Sequence, residues 1–80
     1  MARGRTTKGI DRQELARICL DEIRLWPGCE SVVSVGVLAA PADCFMLRVI
    51  EYGVADIKLA DRALRAIERV KRREYHLSAG

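Results

Sequence analysis

The sequence predicts a small α+β domain of order α-β-β-α, a two-stranded antiparallel hairpin flanked by two helices, with dimerisation completing a larger sheet. Three observations lead there. Residues 31–52 alternate apolar and polar with many β-branched side chains, the mark of strands. The segments on either side repeat their apolar residues at helical spacing. The chain has only 80 residues, and a domain near this size buries only about 60% of the surface its unfolded form exposes. A lone hairpin is marginal in water, so helices must cover it, and small scaffolds usually need a further staple.

Taken in order, residues 1–9 hold Arg3, Arg5 and Lys8 with no acid and two glycines, and read as a disordered basic tail before a single domain at 10–77. Asp11 and Glu14 form an Asp-x-x-Glu capping box that opens the first helix. Pro27-Gly28 ends that helix after Trp26. Leu15, Ala16, Cys19, Ile23 and Trp26 share its core face, while Ile18 and Leu25 form a second apolar ridge near Glu22.

Two strands follow, Ser31–Leu38 and Cys44–Tyr52, joined by residues 39–43. Val33, Val35 and Val37 face the helices together with Phe45, Leu47 and Val49. The opposite rows place Val32, Leu38, Met46, Ile50 and Tyr52 around Ser34 and Arg48, and monomers rarely leave such an apolar patch in water. Both hairpin edges are also unpaired. A symmetric dimer solves both problems, by edge pairing or by face stacking, and these five residues are its expected interface. Glu22 and Arg48 are candidates for a pair across it.

Gly53 ends the second strand, and Asp56 caps a helix running from Ile57 to Tyr75. Ile57, Ala60, Ala63, Leu64, Ile67 and Val70 make its core stripe. Arg62, Arg65, Arg69, Arg72 and Arg73 project opposite, with Asp61→Arg65 and Glu68→Arg72 spaced as ion pairs. Residues 76–80 are expected to fray.

The chemistry-bearing residues are sparse. The formal net charge is +3, with the basic excess at the two ends. Arginines on one helix face suit phosphates, but no GXXG clamp, stacking aromatics or zinc-finger spacing accompanies them. Three cysteines, Cys19, Cys29 and Cys44, include no Cys-x-x-Cys pair, and with His76 they match no zinc-finger spacing. Cys29 and Cys44 approach each other only if the hairpin ends align. His76 has no positioned partner, and no serine sits in a nucleophile elbow. Neither a catalytic residue, a cofactor nor a metal ligand is therefore expected. An unpaired cysteine set without a signal peptide points to a reduced cytoplasmic protein. No apolar run approaches the roughly 20 residues of a membrane helix.

The closing pattern Asp61-Arg62-Ala63…Ile67…Arg72-Arg73-Glu74-Tyr75-His76-Leu77, after a helix and two strands, resembles small bacterial proteins of unknown function. That resemblance covers most of residues 11–77 and implies no activity, cofactor or partner. The expected function is a non-catalytic, homodimeric binding or structural module. The alternative is a nucleic-acid-binding accessory protein that uses the arginine face and the basic tail.

Overall fold

The computed structural model describes residues 7–78. Its elements are β1 (Lys8–Ile10), α1 (Arg12–Ile23), β2 (Ser34–Ala40), β3 (Cys44–Glu51), α2 (Ile57–Glu74) and β4 (Tyr75–Leu77). The expected two helices and antiparallel hairpin are present, and a second, parallel pair joins the two ends of the domain.

Both helices start where their caps require. The Asp11 carboxylate accepts from the Glu14 N–H at 2.8 Å, and Asp56 accepts from the Leu59 N–H at 3.1 Å. Each satisfies a donor that the first helical turn leaves free. α1 stops at Ile23, three residues before the expected end, and residues 24–28 turn away from the core. Trp26 is consequently partly exposed and Leu25 is 83% exposed, while Ile18 packs against the core margin. The second ridge expected from Ile18 and Leu25 therefore does not form, because a helix that ends at Ile23 does not carry Leu25 on its face.

In the hairpin, Val35 opposes Val49, Val37 opposes Leu47 and Leu38 opposes Met46. Val35, Val37, Phe45 and Val49 are buried under the helices, as the alternation implies. The first strand starts three residues late. The Val32 N–H donates back to the Cys29 carbonyl at 3.2 Å, and the Arg24 side chain donates to the Val32 carbonyl at 2.9 Å. These contacts turn Val32 into the core at 0% exposure and leave Val33 half exposed, its N–H still donating to the Glu51 carbonyl of β3 at 2.9 Å. A bulge between Ser34 and Val35 absorbs the change of register.

α1 packs against β2 and α2 against β3. Leu15, Cys19 and Ile23 from α1 meet Ala60, Ala63, Leu64 and Ile67 from α2 around Phe45. Ile57 and Val70, expected in that stripe, are both exposed, and beside Val70 it is Lys71 that takes the inward position. It does so because Glu22 reaches across from α1 to pair with it, and Glu74 adds a second contact at 3.2 Å.

β1 and β4 pair in parallel, Lys8 with Tyr75, Gly9 with His76 and Ile10 with Leu77. The fraying expected from residue 76 is thus corrected for His76 and Leu77. Thr7 Oγ1 lies 2.7 Å from His76 Nδ1, and the Leu77 N–H donates to the Asp43 carbonyl in the hairpin loop at 2.9 Å. The disordered tail expected at 1–9 is likewise wrong for Lys8 and Gly9, which are in β1, while its residues 1–6 lie outside the described residues.

Two turn positions carry opposite strain. Gly53 has φ +61°, and a Cβ there would sit 2.2 Å from the Ser31 carbonyl oxygen, a backbone atom that cannot swing aside. Ala42, in the three-residue hairpin loop, has φ 62° with a side chain already present. Gly53→Ala is expected to destabilise the fold by on the order of 2–4 kcal/mol. Ala42→Gly is expected to stabilise it by up to about 1 kcal/mol. Urea denaturation followed by circular dichroism measures both, and equal effects of one sign would contradict this account of the turns.

Candidate functional site

Two surfaces are candidates: the hairpin face turned away from the helices, and the outer face of α2. The open face forms because β2 and β3 alternate strictly between Val35 and Ala40 and their partners. Leu38, Met46 and Ile50 stand on it at 44%, 50% and 57% exposure. Gly36 lies among them, and a Cβ there would meet Ile50 Cδ1 at 2.8 Å, so the Ile50 side chain lies down over the glycine. Arg48, opposite Gly36, is the charged residue in the middle of this face.

Three of the five expected interface residues are therefore together on one surface: Leu38, Met46 and Ile50. Val32 is not among them, since the turn at Cys29 buries it. Tyr52 is also displaced. Just past β3, its ring packs on the core margin and its hydroxyl donates to Asp61 of α2 at 2.5 Å. Glu22 does not pair with Arg48 from this face, because Lys71 already engages it within the domain.

The outer edge of β3 is closed by α2. The Leu47 N–H donates to the Glu68 carboxylate at 2.8 Å, and the Arg72 side chain donates to the Phe45 carbonyl at 2.9 Å. These are the groups a further strand would use. Sequence alternation gives no signal of this, because α2 can reach the edge only once it is docked beside β3. Farther along, a groove of about 250 Å³ runs between β3 and α2, lined by Leu47, Arg48, Tyr52, Asp61, Arg65 and Glu68, among others.

On the outer face of α2, Arg62, Arg65, Arg69, Arg72 and Arg73 are all exposed, as expected. The two expected ion pairs fare differently. Glu68 and Arg72 lie 3.9 Å apart. Asp61 turns to the Tyr52 hydroxyl and makes no salt bridge with Arg65.

The titratable groups inside the fold are held in their uncharged or paired forms. Burial pushes the Cys19 thiol up to about 12, with Glu22 and Glu68 adding to the rise and Lys71 opposing it. Burial also raises the Cys29 thiol. For Lys71, burial favours the neutral amine, but the hydrogen bonds and charges of Glu22 and Glu74 outweigh it and raise its pKa. Cys19 and Cys29 are buried free thiols, and Cys44 is partly exposed. Cys29 and Cys44 do not approach each other, since Cys44 opens β3 beside the hairpin loop and Cys29 precedes the opposite end of the hairpin. Among the described residues, no three His, Cys, Asp or Glu side chains gather in a metal-binding arrangement. No described helix is long and apolar enough to cross a membrane. No family model, curated protein or solved structure matches the chain.

These shifts share one sign. A group whose pKa is raised by folding stabilises the fold below its unfolded value, and that contribution is lost as pH climbs through the folded one. Stability is therefore expected to fall from about pH 9, the ordinary thiol value being 9.0, and further above 10.5, where Lys71 loses its proton in the unfolded chain while the fold still holds it. Denaturant midpoints from pH 7 to 11 test this, and a midpoint that stays flat to pH 11 contradicts it. In the folded protein, iodoacetamide at pH 8 should label Cys44 first and Cys19 only on unfolding.

Proposed function

We propose that this protein is a small non-catalytic module that associates with a second copy of itself through the open face of the hairpin. The observation that carries the reading is the cluster of Leu38, Met46 and Ile50, half exposed around a glycine on a sheet face that no other described element covers. Exposed apolar side chains are common singly; here three stand together on one side of the hairpin.

Geometry favours stacking over edge pairing. β3 is closed to another strand by Glu68 and Arg72. Antiparallel pairing of β2 with its twofold copy would put all four helices under one sheet about 19 Å wide. Helices pack about 10 Å apart, so four of them need roughly twice that width. Edge pairing would also leave Leu38, Met46 and Ile50 in water. Stacking face to face covers them and keeps each pair of helices on its own outer side.

The size of the face sets the strength. Two strands of about seven residues present roughly 250 Å² on one side, well under the roughly 800 Å² per partner of a standard interface. The association is accordingly weak and concentration-dependent.

Sedimentation equilibrium from about 10 to 500 μM tests the proposal. The average mass should rise from the 9.0 kDa of one chain toward twice that value. Met46→Lys and Ile50→Lys, both at exposed positions, should hold the mass at one chain while leaving the circular dichroism and the denaturant midpoint nearly unchanged. A single-chain mass for the unaltered protein at every concentration, or association that survives both substitutions, would overturn it.

A further inference from the structure

We infer that the outer face of α2 binds the phosphate backbone of duplex nucleic acid without reading its sequence. At 100° per residue, Lys58, Arg62, Arg65, Arg69, Arg72 and Arg73 fall within an arc of about 100°, opposite the core residues Ala60, Ala63, Leu64 and Ile67. All six cations are exposed. With a rise of 1.5 Å per residue, the stripe is about 22 Å long, more than half of a duplex turn of roughly 34 Å.

The same chain shows how it builds an ordinary solvated helix face. On α1, Arg17 is bracketed by Glu14 at 2.5 Å and Asp21 at 3.6 Å. α2 departs from that pattern. No acid lies within its cationic arc, and the two at the margin are occupied: Asp61 by the Tyr52 hydroxyl, Glu68 by the Leu47 N–H. Among the described residues, Lys58, Arg62, Arg65, Arg69 and Arg73 make no salt bridge. Asp61 is taken by the Tyr52 hydroxyl, and Glu68, shared between the Leu47 N–H and Arg72, pairs with no other cation of the stripe, which leaves the remaining five in a row of one sign.

Arginine is the side chain suited to phosphate, through its planar fork of donors. The stripe contains no aromatic residue, so it lacks the stacking platform on which single strands are held. Bases on a continuous duplex stay stacked on one another and need none. The recognisable chemistry is therefore that of closely spaced phosphates on a stiff duplex, common to DNA and RNA.

The test is fluorescence anisotropy of the full chain with labelled 20-base-pair DNA and RNA duplexes, the matching single strands, and polyglutamate as a simple polyanion. At 50 mM salt, one or both duplexes should bind more tightly than the single strands and polyglutamate, and the preferred duplex identifies the source of the phosphates. The slope of log affinity against log salt should be steeper than about −3, as expected when several phosphates release counterions. Arg62→Glu with Arg69→Glu should weaken duplex binding at least fivefold, and more than the same charge change at Lys8 and Arg12. If that double variant fails to fold, Arg62→Gln with Arg69→Gln should weaken binding at least threefold. Absence of duplex binding, equal or tighter binding of single strands or polyglutamate, a shallower slope, or smaller losses would each overturn the inference.

Discussion

Docking of α2 along β3 is the constraint on which the rest of the structure depends. Phe45 and Val49 bury their side chains beneath the helices, while Glu68 and Arg72 reach round to take the Leu47 N–H and the Phe45 carbonyl. An edge strand with unpaired backbone groups invites further strands, and here the helix supplies the missing partners. The same docking turns the remaining surfaces outward. It leaves one side of the hairpin without a covering layer among the described residues, and it points the arginine-rich side of α2 at solvent.

A second interaction secures the helices to each other. Lys71 lies among core residues at 7% exposure, yet it is matched by Glu22 across the helix interface and by Glu74 on its own helix, with the Tyr75 ring 6.0 Å away. A buried cation without such partners is strongly unfavourable. The pair is directional where apolar contacts are not, and it holds α1 and α2 in one rotational setting. That setting decides that Glu22 faces Lys71 and that the arginines face solvent. The parallel pairing of β1 with β4 then ties both ends of the domain together, with Leu77 joined to the hairpin loop through Asp43.

Much of this was legible in the residues, for local reasons. Asp11 and Asp56 announce their helices because a carboxylate there has nearby N–H groups to accept from. The Val35/Val37 and Phe45/Val49 rows announce the buried hairpin face because period-two burial is a property of each strand alone. What stayed hidden depends on distant partners. Val32 looks like an open-face strand residue until the Cys29 turn and Arg24 pull it inward. Tyr52 looks like another until Asp61 arrives from α2. Lys71 is polar by type and inward only because Glu22 meets it. β1 and β4 are three residues each and pair across 67 positions of chain, Lys8 with Tyr75, so no periodicity could betray them. At the candidate interface, Leu38, Met46 and Ile50 were readable from alternation, whereas the closed β3 edge was not.

Isotope-filtered nuclear Overhauser spectroscopy on a mixture of labelled and unlabelled chains addresses the open hairpin face most directly. At millimolar concentration, face-to-face stacking predicts contacts between the Met46 methyl of one copy and the Leu38 or Ile50 methyls of the other. Intermolecular contacts confined to other surfaces, or none at that concentration, would contradict it.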